Sequence, residues 1–180
     1  IDRSLVGSEM CIRDRLYPSA KRWFAYPQAV LAFCWGFAVL IPWAAAERSL
    51  TLQPALIGCW LATLLWTFGF DTVYAMADRR DDAVIGLNSS ALSLGNRAVG
   101  TVRTCYVLTV VALGVAAASA GVHPLFWIFW LGAALLMQIS CQSLNHRNAT
   151  MASFGRHFRR QVQLGSLLLL GLIVSRGLSG

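Results

Sequence analysis

The sequence predicts an all-α fold: a polytopic transmembrane helix bundle with about five spans. Three observations carry that prediction. First, 57% of the residues are hydrophobic and only 13% are charged, whereas soluble domains average about 25% charged. Second, apolar stretches close to the roughly 20 residues that a span requires run at approximately 28–46, 52–76, 104–122, 124–144 and 161–175. Third, the basic residues gather in alternate connections. Lys21 and Arg22 precede the first span. Arg79, Arg80, Arg97 and Arg103 lie between the second and third, and Arg147, Arg156, Arg159 and Arg160 between the fourth and fifth.

Taken in order, residues 1–15 (IDRSLVGSEMCIRDR) share neither the composition nor the periodicity of the rest of the chain. They have no apolar core of a signal peptide and resemble a translated sequencing-adapter segment, so the domain is read as residues 16–180. The chain is expected to be the C-terminal part of something longer. The first span ends at Glu47 and Arg48, which occupy a nearly bare connection. The second ends in a helix-compatible run, Leu61 to Ala77, with a polar connection expected from Arg79 to Arg103. The third and fourth are joined by a tight connection containing His123 and Pro124. The fifth is the shortest and comes after SLNHRNATMASFGRHFRR, in which FGRHFRR reads as an amphipathic basic surface segment.

Five spans place the three basic segments on one side, and the positive-inside rule makes that side cytoplasmic. The net charge of +7 therefore reads as a topology signal, with headgroups or phosphates as the anions met. The lipid bilayer is the expected partner and nucleic acid is not. Cys34, Cys59, Cys105 and Cys141 are scattered in or beside apolar spans with no C-x-x-C pair, and read as small packing residues. His123 lies on the far side from the acids. His146 and His157 match no zinc spacing and read as solvated or interfacial. Trp23, Trp43, Trp127 and Trp130 sit near span ends, as in an interfacial belt.

The informative feature is acidic. Asp71, Asp78, Asp81 and Asp82 fall within twelve residues, and the whole chain has only eight acids. At 100° per residue Asp71, Asp78 and Asp82 lie within about 40° of one another, while Asp81 points about 80° away. A solvated helix end with local ion pairs accounts for Asp78, Asp81 and Asp82. It does not account for Asp71, which lies inside the apolar run, and an intramembrane acid is by default a functional residue. Carboxylates at a membrane boundary need compensation. A divalent cation suits them, and Mg²⁺ is bound through a few carboxylates together with substrate phosphates.

These residues carry a resemblance. DTVYAMADRRDDAVIGLNSSAL is similar to the second aspartate-rich motif, DxxYAxxDxxxDxxxGxxSxA, of UbiA-type membrane prenyltransferases. The upstream LYPSAKRWFAYPQAVLAFCWG resembles the YPxxKR and PQxxL elements of the 4-hydroxybenzoate polyprenyltransferase branch. The likeness covers residues 16–180. It implies a nine-helix bundle, of which this chain supplies helices five to nine, with an active site open to the cytoplasmic face of a bacterial plasma membrane or thylakoid. It implies Mg²⁺-dependent transfer of a polyprenyl group from polyprenyl diphosphate to 4-hydroxybenzoate, in ubiquinone or plastoquinone biosynthesis.

Residue by residue, the resemblance makes Asp78 and Asp82 the first Mg²⁺-diphosphate ligands, with Asp71 the third matched acid, and places Tyr74 near the reacting carbon. Lys21 and Arg22 match a basic pair that meets substrate anions. Arg22 is the better candidate, because a guanidinium grips a carboxylate through two parallel hydrogen bonds. Asn88, Ser89 and Ser90 stand where relatives often carry IGIKSTA, so the loop lacks that lysine and offers hydrogen bonds instead. Gly86 is expected to serve a turn. The family's first acidic motif, NDxxDxxxD, does not occur in these 180 residues, and the chain alone is expected to be inactive. Two other readings stay open: a transporter or channel coupled through Asp71, and a UbiA-type enzyme with another aromatic acceptor. A CDP-alcohol phosphotransferase is excluded, since no DGxxAR element is present.

Overall fold

Proline opens each of the first two long helices, because its locked φ suits a first turn and its missing N–H is not needed there. In the computed structural model, which describes residues 16–144 and 150–178, a short helix α1 (16–23) leads into α2, Pro27–Glu47, and α3, Pro54–Ala77. Two short helices come next, α4 (Arg79–Ile85) and α5 (Ser90–Leu94), with a 3₁₀ turn at Gly95–Arg97. Helices α6 (Ala98–Ser119), α7 (Phe126–Gln142) and α8 (Met151–Leu178) complete the bundle. The described residues contain no strand, in agreement with the all-α reading.

Four segments are long and apolar enough to cross a membrane: Pro27–Glu47, Pro54–Ala77, Ser90–Ser119 and Met151–Leu178. The fifth, α7, is apolar but only 17 residues long. The shortfall therefore falls on α7 and not on the last helix, which the sequence presents as the shortest span. The reason is visible along α8. Phe154, His157, Gln161 and Leu164 are buried at helical spacing, while Arg156, Arg159 and Arg160 stay exposed. Arginines on the outer face lower the hydropathy of this half without interrupting its packing face. FGRHFRR is thus amphipathic as expected, but it belongs to the first turns of a bundle helix. The stretch from Arg79 to Arg103 is likewise not an open connection. It is folded into α4, α5, the 3₁₀ turn and the start of α6.

Helix α3 is the hub, packing on α2, α6 and α8, while α7 bridges α6 and α8. Small residues let α3 and α6 approach. A Cβ at Gly58 would lie 2.7 Å from the Ala112 carbonyl oxygen and 2.9 Å from Ala116 Cβ, and one at Gly69 would lie 2.7 Å from the Tyr106 ring. Close backbone approach of this kind is a principal source of helix association where lipid surrounds the bundle. Val73, Tyr106, Met137, Leu144 and Leu164 form the center of the core.

A polar tie runs through that core. The Tyr106 hydroxyl lies 2.9 Å from His157 Nε2, and His157 Nδ1 lies 3.4 Å from the Ser140 carbonyl oxygen. Gln161 donates from Nε2 to Ser140 Oγ at 3.1 Å and accepts from Trp66 Nε1 at 2.9 Å. His157 is fully buried, which corrects the expectation of a solvated or interfacial histidine. Away from water, polar side chains must satisfy one another, and here they fasten α3, α6, α7 and α8 together. His146 lies outside the described residues. His123 accepts at Nδ1 from the Leu125 N–H, 3.3 Å away, and so serves the turn into α7.

The glycine contacts give a paired prediction. Gly58→Ala should destabilize the bundle by about 1–3 kcal/mol through overpacking. Gly100→Ala, where a Cβ meets nothing within 4 Å, should be neutral or stabilizing by up to about 1 kcal/mol. Thermal unfolding in detergent checks both; equal effects would contradict the close α3–α6 crossing.

Candidate active site

The acids lie where α3 leaves the bundle. Asp71 is half-buried two turns before the helix end, and its Oδ2 is cut off from solvent with no hydrogen-bond partner. It lines a pocket of about 340 Å³ with Trp35 of α2, Trp66, Thr67 and Phe70 of α3, and Gln161 and Val162 of α8. One polar oxygen thus sits among aromatic and aliphatic walls.

Helix α3 does not continue through the remaining acids, as a single helical wheel assumes. It stops at Ala77. Asp78 adopts φ −90° and ψ 3° and caps both α3 and α4. Its N–H donates to the Tyr74 carbonyl, and its own carbonyl accepts from Asp82 N–H at 2.9 Å. Asp78 is half-buried and Asp81 is exposed, so Asp81 stands apart as the sequence suggests. Asp82 turns inward and is only 6% exposed. Its Oδ1 lies 3.7 Å from Lys21 Nζ, while Oδ2 is buried without a partner. A carboxylate held this far out of water with a single long ion pair is under-compensated.

The loop after α4 is tied back with care. Gly86 ends α4 at φ 74°, a left-handed conformation that a side chain would strain, and its N–H returns to the Asp82 carbonyl. Asn88 N–H donates to the Lys21 carbonyl at 2.8 Å. Ser89 caps α5, accepting from Leu92 N–H at 3.3 Å. Ser90 donates its N–H to Gln28 Oε1 at 2.8 Å, and its Oγ pairs with Thr72 Oγ1 at 2.8 Å. Both serines are fully buried. Their hydroxyls are engaged within the fold, whereas the Asn88 side chain is half-exposed.

The basic pair is split. Lys21 points to Asp82 and lies 5.6 Å over the Tyr17 ring, while Arg22 is exposed. Tyr74 is 56% exposed, and its ring centroid lies 5.6 Å from that of Phe158, itself 5.1 Å from Phe70. An aromatic ladder therefore flanks the Asp71 pocket.

Two residues that sequence reasoning misses adjoin the acids and their loop, Tyr17 and Gln28. Both belong to the YP and PQ elements, which is the signal that points to them. Burial raises the Tyr17 phenol to about 12, with Asp71, Asp82 and Asp78 adding to the effect and the Gln28 hydrogen bond opposing it. The field of all three acids thus reaches one hydroxyl. Even so, no three His, Cys, Asp or Glu side chains among the described residues converge as a metal site. The donors have the right chemistry for a hard cation, and two oxygens are unclaimed, but they form one wall and not a closed shell.

The chain belongs to the UbiA prenyltransferase family, whose family model matches residues 12–171. It is 41% identical over 158 residues to a 4-hydroxybenzoate solanesyltransferase of Synechocystis, a match covering 88% of this chain and 53% of that protein. It is 35% identical over 159 residues to a 4-hydroxybenzoate octaprenyltransferase of Burkholderia multivorans, covering 87% and 53%. The chain thus spans about half the length of the curated relatives it matches. No solved structure gives a significant match.

The local ties have two measurable consequences. Gln28→Leu leaves the buried Ser90 N–H unsatisfied and should cost about 1–3 kcal/mol of stability, measured by thermal unfolding; an unchanged midpoint would contradict the tie. The second concerns alkaline pH. Because the folded state holds the Tyr17 proton more tightly than the ordinary value of 10.0, the associated stability is complete below pH about 10 and is lost as pH rises toward 12. Tyr17→Phe should therefore lose less stability between pH 9 and 11.5 than the parent chain.

Proposed function

We propose that this chain forms one wall of a membrane prenyltransferase site, which transfers a polyprenyl group from its diphosphate to 4-hydroxybenzoate in quinone biosynthesis. The observation that carries the reading is the pair of buried, unpartnered carboxylate oxygens, Asp71 Oδ2 and Asp82 Oδ2, in a chain of the UbiA family. Asp78 and Asp82 would hold Mg²⁺, with Asp71 deeper in the same wall. The cation would supply charge neutralization at the departing diphosphate.

The chain's own residues do the rest by placement. The allylic C–O bond breaks with both electrons leaving on the diphosphate. The acceptor carbon ortho to the ring hydroxyl then bonds to the allylic carbon, and the ring loses its proton. Lys21 compensates Asp82 in the resting state and lies where it can turn toward substrate anions. Arg22, exposed and free of a carboxylate partner among the described residues, would grip the benzoate carboxylate. Tyr74, with Phe158 behind it, presents an aromatic face to the allylic cation. Asn88 can donate to the diphosphate, while Ser89 and Ser90 hold the loop that presents it. The site opens on the cytoplasmic side, the side of the basic segments. The opposing acids come from sequence outside these 180 residues.

Membranes carrying residues 1–180 alone should give no magnesium-dependent prenylation of 4-hydroxybenzoate. Joined to the N-terminal half of the Synechocystis relative, the same residues should turn over, and Asp78→Asn or Asp82→Asn should lower the rate by about 100-fold or more. Turnover by residues 1–180 alone, or retained turnover in both variants, would overturn the reading.

A further inference from the structure

A second pocket, of about 260 Å³, lies between α6 and α7 and shares no lining residue with the acidic one. It is lined by Val99 and Arg103 of α6 and by Gln138, Cys141 and Gln142 of α7. One of these residues, Gln138, lacks the partners its chemistry demands. The Gln138 side-chain nitrogen and oxygen are both shut off from solvent with no hydrogen-bond partner. Arg103 stands exposed in the second turn of a long apolar helix and has no carboxylate partner among the described residues. Between Asp82 and Gly180 there is no acidic residue, whereas there are seven arginines. An anion from outside the chain would meet the Arg103 guanidinium and the Gln138 N–H together.

Depth and surroundings say which anion. Arg103 is five residues into α6 and Gln138 four from the end of α7, placing both about 6–8 Å inside the helix ends. That is the level at which lipid headgroups meet acyl chains. Helix α7 spans about 25 Å against a hydrocarbon core of about 30 Å, so its end stops short and leaves a notch at that level. Deeper along both helices Val107, Val111 and Leu135 are exposed, a surface suited to acyl chains. We propose that this notch holds the phosphodiester of an anionic membrane phospholipid. Arg103 pairs with the phosphate oxygens, the Gln138 amide N–H donates to the phosphate or to an ester oxygen, and Gln142 closes the rim. The site is independent of the prenyl-transfer reading.

Native mass spectrometry of the purified chain in detergent, titrated with short-chain phosphatidylglycerol, short-chain phosphatidylcholine or inorganic phosphate, tests this. The expected result is one retained phosphatidylglycerol, held at least about fivefold better than phosphatidylcholine. Arg103→Gln should reduce retention about fivefold. Gln138→Leu should also reduce it while leaving the unfolding midpoint no lower, since it removes an unsatisfied amide, and this variant decides the matter if Arg103→Gln does not fold. Arg97→Gln, an exposed arginine outside the pocket, should bind as the parent does. Undiminished retention in the pocket variants would overturn the proposal, as would an equal loss in Arg97→Gln. Full displacement by an equal concentration of inorganic phosphate would overturn the assignment to a lipid.

Discussion

A carboxylate withdrawn from water requires a partner, and this requirement organizes the basic end of the bundle. Asp82 is buried with one oxygen turned toward Lys21 and the other unclaimed. For Lys21 to reach it, α1 must lie against the loop after α4, and the Asn88–Lys21 backbone bond holds it there. That loop is in turn fixed by Gln28 at the start of α2 and by Thr72 within α3. The acids, the basic pair and the first turns of α2 therefore form one connected unit. It is incomplete as a charge balance, which the proposed cation and diphosphate would complete.

The same rule acts deeper in the bundle with a different outcome. His157, Gln161, Ser140, Tyr106 and Trp66 satisfy one another across four helices. Gln161 also lines the Asp71 pocket, so the tie that locks the helices also sets one wall of the site. Satisfied polar groups give rigidity here, and the unpartnered carboxylate oxygens are the ones the proposed function uses.

Much of this is legible in the sequence. Hydropathy locates the apolar helices, charge alternation locates their common end, and the acidic run from Asp71 to Asp82 falls where α3 gives way to α4. Gly86 reads as a turn and holds the left-handed cap that ends α4. The break at Asp78 is not legible, because ADRRDD has no helix-breaking residue. The interruption accompanies distant contacts, namely Lys21 to Asp82 and to the loop beyond. His157 misleads for a related reason: its partners lie 51 and 17 residues away, and its neighbors are arginines. Those arginines also hide the first half of α8 from a hydropathy window. Ser89 and Ser90 carry the right atoms for substrate binding, yet their hydroxyls are consumed by capping and by Thr72, which only the fold reveals.

The central claim is that the unclaimed oxygens of Asp71 and Asp82 belong to a divalent-cation site completed by diphosphate. Electron paramagnetic resonance of Mn²⁺, substituting for Mg²⁺, measures this directly on the chain in lipid nanodiscs, with and without a nonhydrolyzable prenyl diphosphate analog. The account predicts weak Mn²⁺ binding that strengthens when the analog is present and is lost in Asp82→Asn with the helical content unchanged. Binding that ignores the analog, or that survives in Asp82→Asn, would contradict it.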